Sequence, residues 1–215
     1  MPSTDPLRSR ARRIVRALAR LYPDARCSLD HATPFQLLAA TILSAQCTDA
    51  RVNQVTPALF ARFPDADALA AADLAELERL IQSTGFYHNK AKNLIACARQ
   101  LVADHGSAVP ATMEQLVRLA GVGRKTANVL LGNAFGVPGL PVDTHVTRLA
   151  NRLGLTESAD PVVIESDLTS MIAPADWTLF GLRLIYHGRQ VCQARKPACA
   201  GCRLASLCPR VGVDA

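Results

Sequence analysis

The chain has few aromatic residues, few lysines and no long apolar run. Aromatic residues make up only 5% of its 215 residues although 49% are hydrophobic, so small and aliphatic side chains must build the core. Such a composition favours packed helices over a β-sandwich. No apolar run approaches the roughly 18 residues of a membrane-spanning helix, and no secretory signal is visible. We therefore expect an all-α protein that resides in the cytoplasm.

Lysine is scarce, and nearly all of the positive charge comes from arginine. The chain has 24 basic and 18 acidic residues, and its net charge of +6 indicates an anionic partner such as nucleic acid. Only lysine, unlike arginine, can lose its proton to become a nucleophile, so the retained lysines are candidates for amine chemistry. They are Lys90, Lys92, Lys125 and Lys196.

Helical periodicity dominates, and no segment shows a convincing strand pattern. The Arg-rich start superficially resembles a transit peptide, but the spacing of Ile14, Leu18 and Leu21 predicts an amphipathic helix. Asp73 with Glu76 indicates a capping box before another helix. Further helices are predicted over 33–45, 52–60, 112–119, 124–131 and 144–153, after Pro161 and after a cap at Asp176.

A glycine turn joins two of these helices and is followed at once by positive charge. Two glycines allow positive φ angles and the close approach of a phosphate, which the free N–H groups of the next helix can bind. Cations at a helix start oppose the helix dipole unless an anion binds there. We therefore expect the hairpin to contact a nucleic-acid backbone without base specificity. The expected contacts are Gly121, Val122, Gly123, Arg124 and Thr126.

Lys125 and Asp143 form a candidate catalytic pair. A lysine nucleophile must be neutral, and partial burial together with Arg124 would lower its pKa, while a carboxylate could accept its proton. Each residue also has a simpler interpretation. Lys125 could only bind phosphate, and Asp143 could only cap the helix that follows it. The two roles of Asp143 do not exclude each other, because a capping aspartate is rigidly oriented.

Four of the seven cysteines lie within one short C-terminal segment and can surround one metal centre. Zinc is an alternative, although four-cysteine zinc sites usually consist of two separate Cys-x-x-Cys pairs, and only one such pair occurs here. The candidate ligands are Cys192, Cys199, Cys202 and Cys208. Cys27, Cys47 and Cys97 are isolated and are predicted to be small core residues.

The hairpin of residues 119–129, the Pro-Val-Asp-Thr-His segment 141–145 and the cysteine segment together resemble the endonuclease III family over about residues 33–208. The resemblance implies that Lys125 attacks C1′ of a damaged nucleotide in double-stranded DNA and forms a Schiff base that leads to β-elimination. Asp143 would assist, and His145 would belong to the DNA-binding motif. The damaged bases would be oxidised pyrimidines that are flipped out of the duplex.

The resemblance also implies roles for residues outside the catalytic pair. Gln46 would fill the gap left by the flipped base, and Phe86 would wedge between bases. Alternatively, Gln46 satisfies a helix end and Phe86 belongs to the core. The cysteines would hold a [4Fe-4S] cluster, and Arg195 and Lys196 would contact DNA phosphates or, with the neighbouring cations, offset the charge of the cluster.

The domain organisation expected from this resemblance is two helical lobes in a helix-hairpin-helix glycosylase fold. A helical barrel would span residues 28–136, and an iron–sulfur domain would combine residues 1–27 and 137–215, with DNA in the groove between them. We expect a monomer associated with the nucleoid. Two alternatives are an adenine-removing mismatch glycosylase of the same fold and a non-catalytic DNA-binding or redox-sensing module.

Overall fold

The computed structural model describes residues 6–213, and every regular element within that range is helical. Short 3₁₀ turns connect some of the α-helices. The α-helices are α1 (Pro6–Leu21), α2 (Pro34–Leu43), α3 (Asp49–Arg62), α4 (Ala66–Ala70), α5 (Leu74–Ile81), α6 (Tyr87–His105), α7 (Met113–Leu116), α8 (Arg124–Ala134), α9 (Thr144–Arg152), α10 (Pro161–Met171) and α11 (Trp177–Gln190). The predicted all-α class is therefore confirmed.

Short polar side chains begin most of these helices. Asp73 accepts a hydrogen bond from the Glu76 backbone N–H at 2.8 Å, which is one half of the predicted capping box, while the Glu76 carboxylate binds Arg62. The predicted cap at Asp176 is wrong, because this residue precedes α11 in a helical conformation and makes no capping side-chain hydrogen bond. The helix predicted over 112–119 is also shorter, since α7 ends at Leu116 and a series of turns follows.

The chain divides into two compact units, and the first of them spans Cys27–Val137. It contains α2 to α8, whose leucines, isoleucines and alanines form one apolar core. Phe63 is 1% exposed and is the aromatic residue at the centre of this core. The buried thiol of Cys97 belongs to the same core, and Cys27 and Cys47 pack against its edge.

The second unit combines the described residues up to Arg26 with those from Pro138 onward. Its core is separate and centres on Phe180 of α11, with Ile14 and Leu18 of α1 fully buried beside it. The predicted amphipathic character of α1 is thus confirmed. None of the helices in residues 6–213 has the length and apolar character needed to cross a membrane.

Candidate active site

The turn between α7 and α8 is held in place by α6. The Gln100 side chain of α6 accepts a hydrogen bond from the Ala120 N–H at 2.7 Å and donates one to the Arg118 carbonyl at 3.2 Å. Gly121 has a φ of 76°, and a Cβ atom there would lie 3.1 Å from the Asn93 Cβ. Only glycine therefore fits this position without strain. Gly123 differs, because its φ of −94° is open to other residues.

Helix α8 begins without a capping side chain, since its N-cap residue is Gly123 and no acidic residue lies in its first turn. An anion can approach the first-turn N–H groups and the positive end of the helix dipole there. Gly121 and Gly123 are exposed, whereas Val122 is buried and anchors the turn to the core. The geometry of a phosphate-binding hairpin is therefore present.

Lys125 occupies the second position of α8 and is exposed, as is its neighbour Arg124. The prediction of a partly buried Lys125 is wrong, because the first turn of α8 projects from the surface of its unit and only the residues from Ala127 onward enter the core. Thr126 lies between the exposed first turn and the buried residues of α8 and is half-buried. The amine of Lys125 is accordingly accessible at the same helix end that can bind a phosphate.

Asp143 is the N-cap of α9, and its Oδ1 accepts a hydrogen bond from the Val146 N–H at 2.8 Å. The capping role predicted for this residue is present in the structure, and the carboxylate stays half-buried at a fixed place. Lys125 belongs to the Cys27–Val137 unit and Asp143 to the other unit.

Helix α9 connects the Asp143 cap to the cysteine segment through two arginines that the sequence analysis did not identify. Arg148 lies 3.1 Å from the Nδ1 of half-buried His145 and donates to the Cys192 carbonyl at 3.1 Å. One turn later, Arg152 donates to the carbonyls of Gln193 and Ala194 at 2.8 and 2.7 Å. The two arginines are four residues apart and so lie on one face of α9, and the cysteine segment contains no acidic residue. This pattern is the sequence signal that could have identified them.

The four C-terminal cysteines line one pocket, together with Leu149 and Arg152 of α9 and His187 of α11. The structure thus brings together all four predicted metal ligands, which are Cys192, Cys199, Cys202 and Cys208. Within residues 6–213, no group of three or more His, Cys, Asp or Glu side chains is arranged to hold a metal ion. The cysteines surround a shared space instead, and the ligands of a cluster do so because each binds a different iron atom.

Several N–H groups point at these sulfur atoms. Arg152 Nη1, the Leu204 backbone nitrogen and the Arg210 backbone nitrogen each lie 3.4 Å from a cysteine Sγ, those of Cys192, Cys202 and Cys208. Donors in such positions stabilise negative charge on sulfur. The donor set and the shared pocket therefore fit a thiolate-ligated cluster.

A buried histidine reaches the same site from α11. His187 is 3% exposed, its Nε2 lies 3.4 Å from Cys202 Sγ, and its Nδ1 lies 2.9 Å from the Tyr22 hydroxyl. Burial lowers the pKa of His187, which favours a neutral ring with one donor and one acceptor. Tyr22, His187 and Cys202 thus form a continuous hydrogen-bonded chain, which local sequence patterns did not reveal.

The exposure of Phe86 excludes one of the earlier alternatives. Phe86 is 68% exposed, so it does not belong to the core. It has a φ of 48° and immediately precedes α6. Gln46 is also exposed, with a φ of 54°, in the turn between α2 and α3. Both side chains are presented to solvent by left-handed backbone.

The loop between Cys192 and Cys199 presents Arg195 and Lys196 to solvent, and both residues are exposed. The cation that contacts a cysteine sulfur is Arg152 of α9. The exposed pair is therefore available to an anionic partner.

Comparison with known proteins defines the class. A family model described as "HhH-GPD superfamily base excision DNA repair protein" matches residues 39–174. Endonuclease III of Synechocystis sp. is 58% identical over 203 residues, which cover 94% of this chain and 93% of the relative. Endonuclease III of Bacillus subtilis is 46% identical over 189 residues, covering 87% and 86%.

Solved structures agree with these sequence relatives. A non-covalent endonuclease III–DNA complex contains a chain that is 42% identical, has a TM-score of 0.90 and covers 94% of this chain and 95% of its own length. A thermostable thymine-DNA glycosylase at 21% identity has a TM-score of 0.86, a likeness in fold alone.

These matches, together with the all-helical fold and its glycine hairpin, define a base excision DNA repair protein of the HhH-GPD superfamily. Within that class, the chain belongs to the endonuclease III family. It is accordingly an enzyme, a DNA glycosylase and abasic-site lyase, as predicted. The predicted family and helix-hairpin-helix glycosylase fold are confirmed, and the two alternative functions are not supported.

Proposed function

We propose that Lys125 is the nucleophile of a bifunctional glycosylase that removes oxidised pyrimidines from double-stranded DNA. The observation that carries this assignment is the exposed Lys125 amine in the first turn of a helix that begins at Gly123 without a capping side chain. A DNA phosphate bound at that helix end brings the sugar of the same strand within reach of the amine.

The reaction begins at the amine of Lys125. The neutral amine of Lys125 attacks C1′, and the bond from C1′ to the base breaks, so that the base leaves with the electron pair and takes up a proton. The nitrogen loses one proton. Its electron pair then forms a C1′–N double bond as the C1′–O4′ bond of the sugar ring breaks and O4′ takes up a proton, which leaves a protonated Schiff base. Loss of a proton from C2′ expels the 3′ phosphate. Asp143 accepts the proton of the lysine or stabilises the developing cation.

The remaining predicted residues have supporting roles. Gly121, Val122, Gly123, Arg124 and Thr126 hold the DNA backbone at the hairpin, and His145, Arg195 and Lys196 add further DNA contacts from the other unit. Gln46 and Phe86 enter the space left by the flipped nucleotide. The enzyme acts as a monomer on damaged DNA, in the nucleoid-associated cytoplasmic location that the sequence predicts.

The four C-terminal cysteines hold a [4Fe-4S] cluster in this proposal. The support is the pocket that they share and the N–H groups of Arg152, Leu204 and Arg210 that point at their sulfurs. When bound, the cluster cross-links the segment 192–208 and supplies no step of the base-removal chemistry. The exposed loop carrying Arg195 and Lys196 is thereby given a defined shape.

Borohydride trapping tests the nucleophile. The chain should form a covalent adduct with a duplex that contains an oxidised pyrimidine, and Lys125→Gln should lose at least about 99% of the trapped product because no other exposed lysine replaces the reacting amine. Lys92→Gln is the matched control, since Lys92 is also exposed on a helix of the same unit. Undiminished trapping by Lys125→Gln would show that another residue is the nucleophile.

A further inference from the structure

Two exposed turns in the Cys27–Val137 unit have strained backbone. Gln46 and Phe86 are two of the four non-glycine residues with positive φ in residues 6–213. A left-handed conformation costs a residue with a side chain about 1–2 kcal/mol and persists only where the surroundings enforce it. Neither side chain is held by burial, because both are exposed. Contacts made by the residues that pack under these turns must therefore keep Gln46 and Phe86 in the left-handed conformation.

One buried lysine lies beside the turn that carries Phe86. Lys90 of α6 is only 4% exposed, and it is the buried member of the four lysines, all of which the structure describes. Its Nζ donates a hydrogen bond to the Thr84 carbonyl at 2.8 Å, and its backbone N–H donates to the Phe86 carbonyl at 3.1 Å. The first bond depends on the lysine side chain, whereas the second is the main-chain bond that opens α6.

The turn that carries Gln46 is near the same ammonium group. The thiol of Cys47, which directly follows Gln46, is close enough to Lys90 to interact with it electrostatically. Helix α3, which follows this turn, also packs against the 3₁₀ turn of residues 82–84. Burial lowers the pKa of Lys90, because loss of water contact disfavours the charged ammonium.

We propose that Lys90 is a positioning residue that holds the Phe86 turn in the geometry needed to replace an extruded nucleotide. The inference rests on the proposed role of Phe86, with Gln46, in filling the space of that nucleotide. Lys90 does not touch the reacting atoms in this scheme. It acts by fixing the Thr84 carbonyl and, through it, the left-handed Phe86.

Replacement of Lys90 should therefore slow base excision more than it slows β-elimination. Removal of a damaged base requires the nucleotide to be unstacked and the gap to be filled, whereas a preformed abasic site has no base to unstack. Lys90→Met keeps the length of the side chain and removes its hydrogen bond to Thr84. It should slow base excision in single turnover by about tenfold or more, with β-elimination at an abasic site changed by less than about threefold.

The matched control is Lys92→Met, which removes an exposed cation from the same helix and should leave both rates unchanged. Both rates are normalised to the fraction of enzyme that borohydride traps on a duplex with an abasic site, so that unfolded protein does not contribute. Lys90→Gln, which keeps a shorter donor, serves as the second variant if Lys90→Met folds poorly. It should show the same selectivity with a smaller loss.

A double-mutant cycle with Phe86→Ala separates the possible outcomes. If Lys90 acts through the Phe86 turn, the double variant should excise bases no more slowly than Phe86→Ala alone. Multiplicative losses, or equal slowing of excision and β-elimination by Lys90→Met, would overturn the inference. Slow excision by Phe86→Ala with wild-type excision by Lys90→Met would overturn it while leaving the proposed function intact. Wild-type rates for both Phe86→Ala and Gln46→Ala would overturn the gap-filling assignment and this inference together.

Discussion

Asp143 shows how one side chain can combine a structural and a chemical role. Its carboxylate accepts the Val146 N–H at 2.8 Å and so begins α9. Only one of its two oxygens makes that capping bond, and each carboxylate oxygen can accept two hydrogen bonds. The cap fixes the direction of the group without consuming its capacity to act on a proton.

Asp143→Asn separates these roles because asparagine caps a helix about as well as aspartate does. We expect the stability to change by less than about 1 kcal/mol and the single-turnover excision rate to fall about 100-fold or more. DNA affinity should change little. Thermal unfolding, excision kinetics and equilibrium binding check the three expectations. A rate loss no larger than the loss of affinity would identify Asp143 as a cap alone.

Asp143→Ala is the companion variant. It removes the cap as well as the charge, and it should cost about 1 kcal/mol of stability in addition to the catalytic loss. The difference in the free energy of unfolding between Asp143→Asn and Asp143→Ala isolates the capping contribution of the side chain.

The hairpin between α7 and α8 is built from glycines with different constraints. Gly121 needs its positive φ and meets Asn93, whereas a Cβ atom at Gly123 would have no heavy atom within 4 Å. Gly123 could therefore be replaced within the protein itself. An approaching phosphate is the partner that would favour its small size.

Gly123→Ala should accordingly change stability by less than about 1 kcal/mol, because alanine is a poorer N-cap but restricts the unfolded chain, and it should weaken binding to undamaged duplex about tenfold. Gly121→Ala should weaken binding too, but with a loss of about 1–3 kcal/mol of stability from backbone strain. Fluorescence anisotropy at one salt concentration and thermal unfolding measure both quantities. Wild-type DNA affinity for Gly123→Ala would show that no phosphate lies against this turn.

Sequence patterns predicted these elements well where a short-range rule applies. The caps at Asp73 and Asp143 both form, since each depends on residues three positions apart. The cap at Asp176 does not form because a 3₁₀ turn over Pro174–Asp176 leads directly into α11. A local pattern cannot show that a preceding turn already continues the helix.

At the level of the whole molecule, the described residues form two separate apolar cores, one in each unit. The cysteine segment belongs to the core of the second unit, where Leu204 is 1% exposed. Arg10 of α1 donates hydrogen bonds to carbonyls at the end of α9 and to the Leu207 carbonyl in that segment. The cysteine site is thus integrated into the second unit alone.

Loss of the cluster should therefore loosen one unit. Protein purified without oxygen should be brown and contain four iron and four sulfide ions per chain, as a [4Fe-4S] cluster does. Cys199→Ala should lose the iron and increase hydrogen exchange in α9 and α11, with little change in α2 to α8. Cys27→Ser is the matched control and should keep all of its iron. A colourless protein with one zinc ion would contradict the cluster.

The sequence by itself determined the helical class, the glycine hairpin and the spacing of four cysteines, because each of these depends on residues close together in the chain. The tertiary structure decided which side chains are exposed, since burial depends on distant segments. It shows Phe86 and Lys125 at the surface and Lys90 buried beside the Phe86 turn. Contacts such as that between Arg152 and Cys192 join residues 40 positions apart, and only folding can bring such residues together.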